Sequence, residues 1–159
     1  MVQTAHSSFD RVDRAILSEL AGQGRISWRD LAVRVGLSLT PVLRRVRRLE
    51  DQGFITGYSA RFDEARLGAS FSAFVSVTLE RQAEEALEVF ETQIARAPEV
   101  MSCYLMSGGS DYLLRVVAAD LGAYQAFMTG VLTRIPGVAR IQSSFALKLV
   151  IERSAPPFR

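Results

Sequence analysis

The apolar residues of this chain change their spacing near its middle. Up to residue 53 they recur at three- and four-residue intervals, the period of amphipathic helices, and from residue 71 long stretches alternate, the period of strands. Asp10 is placed to cap a first helix running to about Ala21, with Val12, Ala15, Ile16 and Leu20 as its apolar side and Gly22-Gln23-Gly24 as its stop. Ser27-Trp-Arg-Asp30 has capping-box spacing, with Asp in place of the usual Glu, and opens a short helix through Val35. Gly36-Leu37-Ser38 then leads into a third helix, for which Thr40 is the expected N-cap and Pro41 the first helical residue. At roughly 100° per residue, Val42, Leu43, Val46 and Leu49 of that helix share an arc of about 120°. Arg44, Arg45, Arg47 and Arg48, with Thr40, spread over roughly 160° on the other side. Two short helices joined by a Gly-containing turn, with another helix before them, make the layout of a helix-turn-helix unit. Trp28, beside an N-cap, is expected in the core of that unit.

Gly53 closes the third helix, Phe54–Ala60 alternates like a short strand, and Asp63–Gly68 reads as a linker. Strand patterns follow at Phe71–Leu79, Val100–Met106 and Tyr112–Val117, and a final one runs from about Val138 to Ile151. Helical spacing occupies Ala83–Ala95 and Leu121–Ile135, the latter stopped by Pro136-Gly137. The order β-α-β-β-α-β is the ferredoxin-like plan. The expected fold class is therefore α+β, an N-terminal three-helix helix-turn-helix domain followed by a βαββαβ ferredoxin-like domain. Its expected boundaries are a flexible tail over 1–9, the helical domain over 10–53, a connecting strand and linker over 54–69, the ferredoxin-like domain over 70–153 and a tail over 154–159.

Charge separates the two halves as well. The net charge of +2 is too small for a general polyanion binder. Residues 1–60, however, hold nine arginines against six acidic residues, whereas residues 61–159 hold ten basic residues against eleven acidic ones. Arginine outnumbers lysine eighteen to one, which suits bidentate contacts but is read first as a genome's base composition. A helix buried on one side and carrying four guanidiniums on the other suits phosphates and guanine edges. The same charge run by itself reads as a solvated face, and the helix-turn-helix layout around it is what favours DNA. The candidate DNA-binding residues are Ser38 and Thr40 at the helix start and Arg44, Arg45, Arg47 and Arg48 along it.

The remaining chemistry is sparse. Cys103 is the single cysteine, so no intramolecular disulfide and no cysteine metal cluster can form, and it is expected as a small buried hydrophobe. His6 is the lone histidine, in a polar stretch. Histidine-dependent nucleophilic catalysis and histidine-rich metal sites lack material, so no enzyme, metal or cofactor is expected. No run of apolar residues is long enough to span a bilayer, and no signal pattern opens the chain. The expectation is a cytoplasmic, nucleoid-associated protein without a membrane partner.

With these elements in place, the chain from roughly Asp10 to Val150 resembles the leucine-responsive/asparagine regulator (Lrp/AsnC, or feast or famine) family of transcription factors. The resemblance is carried by Asp10-Arg-Val-Asp13-Arg-Ala-Ile16-Leu17, Gly24-Arg-Ile-Ser27, Leu31–Ser38, Thr40–Glu50 and Gly53-Phe-Ile-Thr-Gly-Tyr58. In the second half it is carried by Gly108-Gly-Ser-Asp111-Tyr112-Leu-Leu114, which is similar to the family's Gly-x-x-Asp-Tyr loop, and by Pro136-Gly137-Val138. The resemblance implies an N-terminal domain that binds double-stranded DNA as a dimer. It also implies a C-terminal domain that pairs chains and binds a small effector, usually an amino acid, in a cleft between dimers. Homodimers of the family often assemble into octamers or other rings of dimers. Matched residue by residue, the effector site falls on Gly108 and Asp111 and on Ser143, Ser144, Phe145 and Ala146 of the final strand. Ser110 and Ser143 depart from the aromatic residue and the threonine common at those places.

Glycines let a ligand approach the main chain, whose N–H groups can hold a carboxylate, and Asp111 can balance an ammonium group. Gly-Gly-Ser-Asp is equally good hairpin chemistry, in which Asp111 only ties the turn. The function expected is a sequence-specific transcriptional regulator of amino-acid metabolism that responds to a bound amino acid. Two other readings stand beside it, an architectural DNA-binding protein without effector and the regulatory subunit of an enzyme.

Overall fold

The computed structural model describes residues 10–157, so the expected tail over 1–9, with His6, lies outside the described residues. The chain divides into two compact units. One comprises the residues up to Arg61 together with those from Ile151 onward; the other is Phe62–Val150. Among the described residues, no helix is long and apolar enough to cross a membrane.

The first unit holds α1 (Arg11–Gly22), α2 (Trp28–Arg34) and α3 (Leu39–Asp51). Ile16, Leu17 and Leu20 of α1, Leu31 and Ala32 of α2, and Val42, Val46 and Leu49 of α3 make one buried cluster, joined by Ile26. Each fully buried aliphatic contributes about 1.5–3 kcal/mol, so this small unit depends on the whole set. Asp10 caps α1 in a reciprocal box with Asp13. Ser27 caps α2 by accepting from the Asp30 N–H at 3.1 Å, and its hydroxyl donates to the Asp30 carboxylate at 2.6 Å. Gly36 turns between α2 and α3 at φ +70°, in the left-handed region that only glycine occupies without strain. Trp28 is not in the core: 39 % of it is exposed, because the first residue of α2 lies outside the stripe that carries Leu31 and Ala32.

Residues 54–60 form no strand. The N–H groups of Phe54 and Ile55 donate to the Leu49 carbonyl and so finish α3, and both side chains lean on the helical core. Among the described residues no neighbouring strand takes up the rest of the segment, and an unpaired strand has no ladder to hold it. The segment from Ile151 returns to this unit, where Glu152 pairs with Arg61 and the Ser154 hydroxyl donates to the Ala21 carbonyl.

The second unit is one sheet of β1 (Phe71–Leu79), β2 (Val100–Leu105), β3 (Tyr112–Ala118) and β4 (Val138–Phe145), with α4 (Glu84–Ile94) and α5 (Leu121–Gly130). The spatial order is β2-β3-β1-β4, with every neighbouring pair antiparallel. Ala73, Val75, Val77, Leu79, Leu114 and Val116 point to one face, where Phe90 and Ile94 of α4 and Tyr124 and Phe127 of α5 cover them. The opposite face carries Phe74, Leu113 and Tyr104, with Phe74 41 % and Tyr104 59 % exposed. The stretch expected as a linker is ordered: Ala69 donates to the Glu64 carbonyl, and the Glu64 carboxylate receives Arg115 of β3.

Three expectations change in this unit. The second helix ends at Gly130 and a separate 3-10 turn covers Leu132–Arg134, as a glycine there weakens the helix. The last strand ends at Phe145, not Ile151. Phe145 already faces Ala73, near the start of β1, so later residues have no strand to pair with, and Leu147 stands 99 % exposed. Cys103 is exposed, because β2 is an edge strand.

Candidate nucleic-acid interface and effector loop

The start of α3 differs from the sequence expectation by two residues. Ser38, extended at φ −78° and ψ 163°, is the N-cap and makes no side-chain capping bond. Leu39 and Thr40 are already helical, and Pro41 is the third helical residue. Its missing N–H remains harmless, since the first four N–H groups of a helix have no intrahelical partner. Ser38, Leu39 and Thr40 are all exposed, which leaves two hydroxyls and one aliphatic group at the helix entry. An N-cap at Thr40 puts Leu39 before the helix and hides it as a candidate; as the first helical residue it projects outward, 41 % exposed.

The four arginines of α3 divide in two. Arg44 and Arg47 are exposed and carry no ion pair among the described residues. Arg45 Nη1 instead donates to Asp13 Oδ1 and Asp10 Oδ2, both at 2.8 Å, and Arg48 Nη2 donates to Asp13 Oδ2. Asp13 is 1 % exposed, and its Oδ2 also accepts the Asp10 N–H, at 3.0 Å. In return Asp10 Oδ1 accepts the Asp13 N–H at 2.9 Å. That bond from the Asp13 N–H, followed by Arg45, holds the Asp10 carboxyl below its ordinary 3.8, and Asp13 and then Asp10 raise the Arg45 guanidinium.

The expectation of four guanidiniums on one outward face is thus corrected for Arg45, whereas Arg48 stays exposed but is ion-paired to Asp13. Arg45 lies roughly 70° from the centre of the buried stripe, which aims it at α1 and not away from the protein. Arg48 follows it onto the same carboxylate but keeps 46 % of its side chain exposed, against 23 % for Arg45. The outward surface of α3 is built from Ser38, Leu39, Thr40, Arg44 and Arg47 without ion pairs among the described residues, with the ion-paired Arg48 at its edge.

The residues expected at the effector site also divide. Gly108, at φ +153°, bends the hairpin between β2 and β3, and neither its N–H nor that of Gly109 has a main-chain acceptor among the described residues. Asp111 is 4 % exposed and turned inward. Its Oδ2 accepts the Leu79 N–H at 2.7 Å, and its Oδ1 accepts the Gln82 side-chain amide. Both oxygens therefore tie the hairpin to the end of β1.

Ser143 faces the helices, where its hydroxyl shares a hydrogen bond with Tyr124. Phe145 joins it in an aromatic cluster, its ring centroid 5.1 Å from Phe71 and 5.8 Å from Tyr124. Ser144 points to the opposite face, beside Phe74, because neighbouring strand residues alternate. Ala146 is exposed just past β4, its N–H donating to Ser72. Along β1, Tyr112 lies opposite Val77 and Phe145 opposite Ala73, about 13 Å apart at strand rise. One chain does not bring the glycine loop and the end of β4 together.

Comparison with known proteins matches both units. Residues 72–156 match the Lrp/AsnC ligand binding domain, and residues 9–56 match a winged helix-turn-helix DNA-binding domain. The Bkd operon transcriptional regulator of Pseudomonas aeruginosa is 61 % identical over 151 residues, spanning 95 % of this chain and 99 % of that protein. The leucine-responsive regulatory protein of Escherichia coli K12 is 49 % identical over 129 residues, 81 % of this chain and 79 % of that one. A transcriptional regulator of Neisseria meningitidis, solved in complex with L-methionine, superposes with a TM-score of 0.90 at 35 % identity, covering 94 % of this chain and 97 % of its own.

Proposed function

Because the chain belongs to the Lrp/AsnC family of DNA-binding transcriptional regulators, we propose that it reads an operator with α3 and adjusts that reading to an amino acid bound by its second unit. The observation that supports the DNA side is the way α3 is held. Val42, Val46 and Leu49 bury one side of it, Asp10 and Asp13 grip a second, and Ser38, Thr40, Arg44 and Arg47 are left outward. The N-terminal residues of a recognition helix commonly meet base edges while flanking cations meet phosphates. Two such helices in a dimer would address successive major grooves about 10 bp apart, or a multiple of that.

Pairing of chains is assigned to the face of the sheet that the helices leave bare. Exposed Phe74 and Tyr104 and half-buried Leu113 put apolar side chains on that face among Ser76, Arg115 and Ser144, and a second sheet is the simplest cover for it. Phe74→Arg then converts the dimer, or the ring of dimers built from it, to a monomer in light scattering. An unchanged mass would move the interface elsewhere.

The effector reading rests on the free N–H groups of Gly108 and Gly109, which can hold a carboxylate. Asp111 supports that loop from behind, its oxygens being taken by Leu79 and Gln82. Ser143 lies opposite the middle of β1 and Ser144, Phe145 and Ala146 run from there away from the loop, so a ligand that meets both sets needs a second copy of the chain. The Neisseria regulator holds L-methionine and the Escherichia coli protein is named for leucine, which makes apolar amino acids the first candidates. A binding amino acid at a hundredfold excess over its Kd stabilises the protein by about 2.7 kcal/mol. Thermal melts across the amino acids would show this as a raised Tm for methionine, leucine or a neighbour of theirs. No rise with any amino acid would favour an architectural protein without effector.

A further inference from the structure

Two of the four guanidiniums on α3 are ion-paired to carboxylates of α1 and its cap. The Asp13 carboxylate gives one oxygen to Arg45 and the other to Arg48, and Asp10 gives Arg45 a second acceptor. An anionic acceptor with two oxygens is what a DNA phosphate would offer the same side chains. We infer that Asp13, seconded by Asp10, is a specificity-determining residue: it occupies Arg45 and Arg48 in place of phosphate, so that α3 offers only Arg44 and Arg47 to DNA. The inference rests on the DNA-binding reading above.

Its consequence is a limit on indiscriminate binding. Affinity for any duplex grows with the number of phosphates a protein neutralises, and its salt slope is about −0.9 per phosphate on B-form DNA. Four free arginines on each recognition helix would raise affinity for all sequences alike, and specificity is the difference between right and wrong sites. Asp13 is suited to prevent this because it does not swing aside. It is 1 % exposed, its N–H is bonded to Asp10 and its backbone is in the first turn of α1. An arginine that left it would take one of two cations from a buried carboxylate, and the loss of both would strand it, an expensive arrangement.

The test measures how salt affects binding of the full chain to two duplexes, an operator selected from a random-sequence pool and a mixed-sequence duplex. Asp13→Asn is expected to tighten mixed-sequence binding at low salt and to lower the ratio of operator to mixed affinity. It should steepen the slope of log K against log salt by about 0.9 for each guanidinium released. The triple variant D13N/R45Q/R48Q keeps hydrogen-bonding groups without charge and is expected to retain the wild-type slope. If Asp13→Asn does not fold by circular dichroism, the triple variant decides alone. A triple variant with a slope shallower by about 0.9 per arginine would mean that Arg45 and Arg48 reach phosphates in the wild type, and it overturns the inference. So does a folded Asp13→Asn that weakens both duplexes without steepening the slope, the signature of a merely structural residue. A wild-type chain that binds neither duplex overturns the DNA-binding reading and this inference together, whereas a shallow triple variant beside a wild type that binds overturns this inference alone.

Discussion

Replacing Arg44 and Arg47 together by alanine weakens operator binding by roughly a hundredfold or more, counting about 1–3 kcal/mol for each arginine that meets a base and a factor of ten for every 1.4 kcal/mol. Where the contact is to phosphate, the salt slope becomes shallower by about 0.9 for each one lost. Stability changes little, within about 0.5 kcal/mol, because both side chains are exposed and neither is ion-paired among the described residues. Anisotropy titrations over a range of salt, with a denaturation curve beside them, separate the two effects. Full affinity with the wild-type slope would take this pair off the interface. The contrast with Arg45 and Arg48 is useful here, since their removal strips the buried Asp13 carboxylate of its partners and costs stability first.

Asp111→Ala is expected to destabilise the sheet unit by about 2–4 kcal/mol. Loss of the carboxylate leaves the Leu79 N–H without its acceptor, at about 1–3 kcal/mol, and frees the Gln82 amide as well. Set against a total stability of roughly 5–15 kcal/mol for a protein domain, that is a visible drop in a denaturation midpoint. Asp111→Asn keeps one acceptor for Leu79 and should recover part of the loss. A ligand response measured in the Asn variant then tells whether the carboxylate acts on the ligand or only on the loop. An alanine variant as stable as wild type would show that the hairpin does not depend on this tie.

The sequence made the elements legible wherever periodicity and local chemistry agreed. Capping residues located α1 and α2, and alternation located β1 and β3 nearly to the residue. It failed where the outcome depends on a distant neighbour. Residues 54–60 and 146–151 have the alternation of strands, but a strand also needs a partner, and the described residues offer none at those places. Trp28 and Cys103 are apolar types that composition sends inward, whereas their positions, at a helix start and on an edge strand, leave them outside.

The candidate sites followed the same rule. Helical spacing separated the arginines from the core stripe but could not show that an acidic capping box thirty-odd residues earlier would claim two of them. The Gly-Gly-Ser-Asp run left Asp111 open between ligand and turn, and only the burial of its carboxylate against Leu79 and Gln82 shows how it is engaged.

The linkage of the α1 capping box to α3 also bears on local motion. First turns of helices ordinarily fray, opening and closing far more often than the whole domain unfolds. In α1 that turn is fastened to the middle of another helix by three arginine–carboxylate bonds. The Asp13 and Arg14 amide protons, both bonded to Asp10, should therefore exchange with solvent far more slowly than a fraying first turn allows, because this turn opens only when the three-helix unit opens.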